Sequence, residues 1–290
     1  MVVNLMPQST EIKKTSYDQR PDRPAGSHSN PDAEENAAVT MGMPSPQALD
    51  AAGDRDRPRK TEMFRQLGRY VLNFIPKRTV MRILTGPNRG LRWVVGSGTH
   101  GCWLGTYESE FARRIVSAIR PGMTAFDVGA HSGYYTLLMA RLVGSSGRVF
   151  AFEPNRKSAA CLKHHLEIND IRNVEVIEAA VAESVGRSLF TDTEYSGQLG
   201  NHGRVVPTVR LDDYPSPDFV KMDIEGAEGL ALRGADRILS KQETIWYIEL
   251  HGPKARTECK AILRDKDCFL EWLGSAELFA IPKRLCHIPR

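Results

Sequence analysis

The stretch FDVGAHSGYYTLLMARL, residues 126–142, decides the fold of this chain. Its first residues belong to an apolar run, which predicts a short strand over 124–128. Gly129 and Gly133 then bracket a turn, because glycine accepts the backbone angles of a tight reversal. The apolar residues that follow predict a helix over 134–143. A strand that enters a helix through such a turn is typical of open α/β sheets that hold a ligand at the turn.

The rest of the chain repeats this alternation of strands and helices. The predicted strands cover residues 124–128, 148–152, 174–181, 218–224 and 244–250, and the predicted helices cover 134–143, 156–169, 227–233 and 254–264. Strands that alternate with helices of this length form βαβ units, so we predict an α/β fold with a parallel sheet and helices on both faces. In such sheets the ligand lies outside the carboxyl ends of the strands.

The turn after the first strand does not suit a dinucleotide. A dinucleotide-binding turn reads G-x-G-x-x-G, and its middle glycine admits the pyrophosphate. Here that position, two residues after Gly129, is His131, whose side chain would crowd a diphosphate. Asp127 adds a carboxylate that repels phosphates and attracts an ammonium or sulfonium group. The turn therefore argues against a nicotinamide or flavin cofactor.

A second acid closes the next predicted strand. Glu153 stands in AFEPN, where a carboxylate can accept hydrogen bonds from both hydroxyls of a ribose. Each acid has a simpler interpretation when taken alone, because Asp127 could cap a helix and Glu153 could stabilise the first turn of the next helix. Together, at neighbouring strand ends, they favour S-adenosylmethionine as the cofactor.

Several blocks of the chain resemble, in order and spacing, the FkbM family of S-adenosylmethionine-dependent methyltransferases. They are DVGAHSGYYTLLMARLVGSSGRVFAFEPN, NVEVIEAAVAE, VPTVRLDDY and VKMDIEGAEGLALRGA, and the resemblance covers about residues 103–252. It implies a class I methyltransferase fold, a Rossmann-like, doubly wound sheet of seven mostly parallel strands. The sheet would end in an antiparallel pair, here residues 268–273 and 277–281. The resemblance also implies methylation of a hydroxyl on a sugar or a secondary metabolite.

The expected cofactor contacts combine this resemblance with the strand ends. Tyr107 and Glu108 belong to the segment before the first core helix, where they would touch the methionine end of the cofactor. Ala180, at the end of the third predicted strand, is expected near the adenine. The full predicted set is Tyr107, Glu108, Asp127, Gly129, Ala130, His131, Gly133, Glu153, Pro154 and Ala180.

The fourth strand end, KMDIEGAE at residues 221–228, carries the predicted chemistry. If the strand persists, alternation places Lys221, Asp223 and Glu225 on one face. The resemblance implies that Asp223, Glu225 and Glu228 line the site. Asp223 or Glu225 could act as the general base, whereas an ion pair would explain Lys221 equally well.

The fifth strand end adds Glu249 and His251 across the crevice from Asp223. His251 has the better intrinsic pKa for a base at neutral pH. Asp223, Glu225, Glu249 and His251 together also suit a divalent metal ion that would hold the acceptor hydroxyl. The identity of the base and the participation of a metal stay open at this point.

The chain divides into three parts. Residues 1–60 are rich in Pro, Ser, Asp, Asn and Arg and lack large apolar runs, which predicts a disordered tail. Residues 122–290 form the predicted cofactor-binding core, in which the glycine-bracketed loop 196–204 could serve as a substrate lid. The part between them, residues 61–121, contains a predicted helix over 63–75, a hairpin of 80–86 and 91–95, and a helix over 111–119.

Composition restricts the compartment and the partners. The net charge is +4 without a basic block, which disfavours a nucleic-acid partner, and the five scattered cysteines indicate reduced thiols in a cytoplasm. The start has no secretory pattern and no run of about 18 apolar residues occurs, so no membrane association is expected. The predicted function is S-adenosylmethionine-dependent O-methylation of a small hydroxylated substrate. The alternatives are an RNA 2′-O-methyltransferase, an NAD-dependent oxidoreductase and an inactive cofactor-binding scaffold.

Overall fold

The computed structural model describes residues 74–192 and 197–286 of the chain. The predicted tail over 1–60 and nearly all of the predicted helix over 63–75 lie outside these residues. Among the described residues, no helix combines the length and the apolar composition that crossing a bilayer requires. All five cysteines are described and all are free thiols.

The described part begins with the predicted hairpin. Its strands β1 (Val80–Arg82) and β2 (Arg92–Val94) pair antiparallel. Two helices follow, α1 (His100–Leu104) and α2 (Ser109–Ala118). The second of them agrees with the helix predicted over 111–119, whereas the short first helix has no counterpart in the prediction.

The core of the fold is a seven-stranded sheet. Its strands are β3 (Thr124–Val128), β4 (Arg148–Phe152), β5 (Val174–Ile177), β10 (Phe219–Met222), β11 (Ile245–Glu249), β12 (Cys268–Trp272) and β13 (Glu277–Pro282). They lie in the order β12-β13-β11-β10-β3-β4-β5. Five strands run parallel, while β13 is antiparallel to both of its neighbours. The predicted terminal antiparallel pair is thereby confirmed, and the order reverses direction between β3 and β10, which opens a crevice there.

Helices cover both faces of this sheet. They are α3 (Tyr134–Val143), α4 (Arg156–Ile168), α5 (Glu228–Arg233), α6 (Asp236–Lys241), α7 (Gly252–Asp265) and the short α8 (Lys283–Cys286), with one 3₁₀ turn at Leu211–Asp213. Successive residues of β3 point to opposite faces, as strand geometry requires. Ala125 packs in a buried cluster with Leu137 of α3, and Phe126 packs in another with Leu232 of α5. The predicted doubly wound α/β fold is confirmed.

A second, four-stranded sheet stands between β5 and β10 in the chain. Its strands are β6 (Ala180–Val181), β7 (Gly186–Asp192), β8 (Gly197–Gly200) and β9 (Arg204–Val209), in the order β6-β9-β7-β8. The prediction of one strand over 174–181 is therefore wrong, because the chain leaves the main sheet after Ile177 and joins the second sheet at Ala180.

The predicted lid loop over 196–204 is also mostly strand. Residues 197–200 pair with β7 as an edge strand. A Cβ on Gly197 would overlap the ring of Phe190, so this glycine serves a close packing contact within the sheet.

Candidate active site

A cavity of ≈ 410 Å³ opens at the carboxyl ends of the parallel strands. The turn after β3 and the turn after β10 form its walls, and the second sheet and the N-terminal hairpin close its sides. Of the predicted site residues, those that line it are Tyr107, Gly129, Ala130, His131, Gly133, Glu153, Pro154, Ala180, Lys221, Asp223 and Glu225. The strand ends therefore meet in one crevice, as the parallel sheet predicts.

The turn after β3 is held in its shape by backbone geometry. Gly129, His131 and Gly133 all have positive φ angles, of 80°, 49° and 92°. A Cβ on Gly133 would overlap Leu162 of α4, so glycine also lets α4 pack against the start of α3. The N–H groups of Gly129 and Ala130 both donate to the carbonyl oxygen of Phe152 at 3.0 Å. The turn therefore offers a ligand mainly a shape, because several of its N–H groups are used internally.

Of the two acids at the ends of β3 and β4, Glu153 is the one that lines the cavity. Its Oε2 accepts the N–H of His131 and its Oε1 accepts the N–H of Asn155, each at 2.7 Å. The residue is 6% exposed, and burial raises the pKa of its carboxyl to about 7 against the opposing effect of these bonds. Each oxygen keeps a second lone pair, so the carboxylate can still accept hydroxyl hydrogen bonds from a ligand.

Asp127 lies behind the turn and does not line the cavity. It is completely buried, and its Oδ2 accepts a hydrogen bond of 2.6 Å from Thr136 Oγ1. Its Oδ1 lies 3.5 Å from Lys221 Nζ. The expected direct contact between Asp127 and a cofactor is thus replaced by an indirect one, in which the carboxylate holds α3 and Lys221 in place.

Lys221 connects the two walls of the crevice. Its Nζ donates to the carbonyl oxygen of Gly129 at 3.0 Å and lies 3.7 Å from Asp223 Oδ2. Burial by itself lowers the pKa of this ammonium, but the nearby carboxylates, Asp127 first, outweigh burial and raise it. The side chain is therefore a fixed positive charge at the cavity wall.

An acid and histidine cluster continues from the cavity wall, since Asp223 and Glu225 line the cavity whereas Glu228, Glu249 and His251 lie beyond its lining. We call this cluster the outer end of the crevice. His251 Nδ1 donates to Glu228 Oε1 at 3.0 Å. Its Nε2 lies 3.6 Å from Glu225, 3.7 Å from Asp223 and 3.9 Å from Glu249. Glu228 is completely buried and also accepts the N–H of Gly226. The structure therefore brings together the residues that the two strand ends predicted.

The structure changes the interpretation of this cluster in two respects. Strand β10 ends at Met222, so Asp223 and Glu225 lie in the turn beyond the strand and not on one of its faces. The hydrogen bond to Glu228 raises the pKa of His251 to about 9, with further contributions from Asp223 and Glu225. A raised pKa favours the charged imidazole, which weakens the argument for His251 as a base from its intrinsic pKa.

The segment before α2 contributes one cavity residue. Tyr107 lines the cavity, whereas Glu108 is turned towards α3 and accepts a short hydrogen bond from Tyr135 Oη. Sequence reasoning missed other lining residues, some of them inside the stretch 126–142 and others in elements without a recognisable motif. Those from the hairpin region, α3 and the second sheet are Trp93, Gly98, Thr99, Cys102, Ser132, Tyr134, Tyr135, Phe190, Gly197 and Leu199.

Three side chains of this cluster lie close enough together to bind a metal ion. Asp223, Glu225 and His251 place one ligand atom each within 4.8 Å of one another, close enough that they could hold a metal ion. Glu249 is near this set but outside it. The crevice thus has a carboxylate suited to sugar hydroxyls at one end and a cluster that could hold a cation at the other.

The strand order, the glycine turn after β3 and the cavity at the strand ends define the class I methyltransferase fold. A model of the Methyltransferase FkbM domain matches residues 127–268. The chain therefore carries an FkbM methyltransferase domain over these residues.

Solved structures resemble the chain at low sequence identity. The FkbM methyltransferase of Methylobacillus flagellatus KT is 20% identical, with a TM-score of 0.43 over 58% of this chain and 50% of that chain. The chain thus spans half the length of this relative. An S-adenosylmethionine-dependent O-methyltransferase of Thermotoga maritima is 13% identical, with a TM-score of 0.41 over 71% of this chain and 78% of that chain. No curated protein matches the chain significantly.

Proposed function

We propose that the protein is an S-adenosylmethionine-dependent O-methyltransferase that acts in the cytoplasm on a hydroxyl of a sugar or a secondary metabolite. The observation that carries this proposal is that two different groups of residues line one cavity. Glu153 and the turn after β3 line one end, and Asp223 and Glu225 line the other. A methyl donor and an acceptor bound there would lie side by side, as direct transfer requires.

The residues present suit the cofactor. The carboxylate of Glu153 would accept the ribose hydroxyls, and Ala180 and Phe190 offer an apolar surface to the adenine. Tyr107 and the turn at Gly129 would enclose the methionine end. When bound, this cofactor supplies a methyl group that is already activated by a positively charged sulfur.

The acid and histidine cluster would prepare the acceptor. Asp223 and Glu225 face the cavity, so they are placed to orient a hydroxyl and to promote loss of its proton. Glu228 is a positioning residue in this proposal, since it is buried and acts by holding His251. Lys221 would fix the distance between the two ends through its bond to Gly129.

The charge of the crevice supports a small acceptor over RNA. The carboxylates of Asp223, Glu225, Glu228 and Glu249 lie within 4.0 Å of one imidazole, and the positive charges of Lys221 and His251 offset only part of their charge. A phosphate backbone that approached this end would be repelled. The same repulsion and the side chain of His131 act against NAD.

Two measurements test the proposal. Calorimetric titration of the purified chain with S-adenosylhomocysteine and with NAD should show binding of the first only. Incubation with labelled S-adenosylmethionine and a metabolite extract should then yield a labelled product, identified by mass. An Asp223→Asn variant should keep cofactor binding and lose most of this labelling, while Glu243→Gln, an exposed change elsewhere, should behave as the unaltered protein.

Other outcomes would reject the proposal in distinct ways. Binding of NAD but not of S-adenosylhomocysteine would replace it with an oxidoreductase. Cofactor binding without any methylated product would favour the inactive scaffold. Labelling of RNA in place of small molecules would overturn the acceptor class.

A further inference from the structure

Three side chains from two strand ends converge at the outer end of the crevice. Asp223 and Glu225 follow β10 and His251 follows β11, with one ligand atom of each within 4.8 Å of the others. The imidazole Nε2 is 3.7 Å from Asp223 Oδ1 and 3.6 Å from Glu225 Oε2. An ion with ligands at about 2.1 Å needs neighbouring ligand atoms about 3 Å apart. These side chains are partly exposed, and the two distances from Nε2 exceed that spacing by less than about 1 Å, which small rotamer adjustments would close.

A buried carboxylate holds His251 from behind. Glu228 is 0% exposed, its Oε1 accepts from His251 Nδ1 at 3.0 Å, and its Oε2 has no hydrogen-bond partner. Such a buried carboxylate is costly unless it supports a charged group. Histidines that bind metals usually donate their second ring N–H to a carboxylate, which fixes the ring and makes the other nitrogen more basic. Glu228 gives His251 this support while Nε2 faces Asp223 and Glu225.

We propose that Asp223, Glu225 and His251 bind a divalent cation of the Mg²⁺ or Mn²⁺ type. Two carboxylate oxygens and one imidazole nitrogen suit such ions, which prefer oxygen ligands and six-fold coordination. Three protein ligands leave positions for water and for an acceptor hydroxyl. Glu249 lies 3.9 Å from His251 Nε2 and belongs to the surroundings of the ion.

The ion site deepens the proposed function, and its role in methylation rests on that function. A hydroxyl bound to the cation would lose its proton to water more readily, because the cation stabilises the alkoxide. The alkoxide oxygen then forms the new O–CH₃ bond while the S–CH₃ bond breaks, and the sulfur keeps the electron pair of that bond. The cation would also offset the charge of the two carboxylates when the neutral acceptor enters.

Manganese binding tests the site without any substrate. We expect calorimetric titration of the purified full chain with Mn²⁺ to show one ion per chain. Pulsed electron paramagnetic resonance should show coupling of the bound Mn²⁺ to an imidazole nitrogen. His251→Ala should abolish this coupling, and Glu228→Gln should weaken Mn²⁺ binding about 10- to 100-fold although it removes no ligand. Glu243→Gln should bind Mn²⁺ as the unaltered chain does.

Absence of Mn²⁺ binding at millimolar concentration would overturn the site, as would equal binding by the unaltered chain and His251→Ala. Circular dichroism shows whether His251→Ala folds. If it does not, the partly exposed Glu225→Gln, which alters another proposed ligand, should weaken Mn²⁺ binding in its place. S-adenosylhomocysteine titrations of the same preparations separate the two proposals. Cofactor binding without a manganese site rejects the ion alone, whereas a manganese site without cofactor binding supports the ion and rejects the proposed function.

Discussion

Gly129 lies directly against the backbone carbonyl of Asp223, so closely that a Cβ on Gly129 would overlap that oxygen. This contact joins the turn after β3 to the turn after β10, and with them the two ends of the cavity. Gly129 also has a φ of +80°, which only glycine adopts at little cost.

Replacing Gly129 by alanine should therefore push the two turns apart. We expect Gly129→Ala to lower the free energy of unfolding by about 2 kcal/mol or more and to weaken S-adenosylhomocysteine binding. Denaturant unfolding and calorimetry measure the two effects. Gly200→Ala is the matched control, because open space surrounds that glycine. Equal behaviour of the two variants would show that the contact between the turns is not needed.

Loss of the Lys221 charge should be costly. Asp127 is completely buried, and Lys221 is the cation near it, at 3.5 Å. We expect Lys221→Met to destabilise the protein by about 3–5 kcal/mol, because it leaves an uncompensated buried carboxylate. Lys163→Met, which removes an exposed ion pair with Glu178, should change stability by less than about 1 kcal/mol. A similar loss in both variants, measured by denaturant unfolding, would contradict the role of Lys221.

Cofactor affinity should depend on pH through Glu153. Burial raises the pKa of this carboxyl to about 7, so it becomes fully charged only above neutral pH. Because the charged form is the better acceptor for ribose hydroxyls, affinity for S-adenosylhomocysteine should rise between about pH 6 and about pH 8. Glu153→Gln should bind more weakly and without this pH dependence. A variant that kept the rise would assign it to another group.

The same shift in Glu153 acts on stability with the opposite sign. Its pKa in the folded protein, about 7, lies above the ordinary value of 4.5 for a glutamate, so the folded state holds the proton more tightly. The stabilising contribution is fully present below about pH 4.5 and is lost as the pH rises through about 7. Glu153→Gln should remove this part of the pH dependence from thermal unfolding curves. An unchanged curve between these pH values would contradict it.

His165 should make the protein sensitive to acid. This completely buried ring donates from Nδ1 to the carbonyl oxygen of Ser132 at 2.8 Å and accepts the N–H of Val94 at Nε2. Burial lowers its pKa from 6.5 to about 4, so protonation favours the unfolded chain. Stability should therefore be fully present above about pH 6.5 and be lost by up to about 3 kcal/mol as the pH falls towards 4.

Replacing His165 by phenylalanine tests the titrating ring, because phenylalanine is a planar ring that carries no proton. His165→Phe can keep the stacking on Trp93 but removes both hydrogen bonds. The variant should be less stable at neutral pH, and its stability should no longer show the decrease that His165 causes between about pH 6.5 and about pH 4. Thermal unfolding over this range measures both effects. Identical acid curves for the two proteins would mean that other groups cause the loss.

The elements around the first turn could be predicted from sequence because their signals are local. β3, α3 and β4 have the predicted bounds, since each is a largely apolar run that is followed by glycine or a charged residue. The second sheet could not be predicted in this way. Its strands contain Pro207 and Gly197, which weaken the strand pattern, and Phe190 is the one buried residue of β7.

The chemical residues of the site were predictable for another reason. Parallel strands bring their carboxyl ends to one edge, so acids such as Glu153 and Asp223 could be expected to face the same crevice. The roles behind that edge depend on contacts across long stretches of chain. Lys221 reaches Gly129 only because β10 pairs with β3, and the raised pKa of His251 depends first on its hydrogen bond to Glu228.

The second sheet has a consequence for how the molecule folds. Its antiparallel strands β7, β8 and β9 pair with near neighbours in the chain, whereas β10 pairs with β3 across more than ninety positions, as in the pair Phe219 and Ala125. Contacts of low sequence separation form at a smaller entropic cost and therefore earlier. We expect β7, β8 and β9 to pair with one another before β10 pairs with β3 in the main sheet. The crevice then forms only after β10 has paired with β3. A partly folded state without this pairing does not hold the two ends of the crevice together.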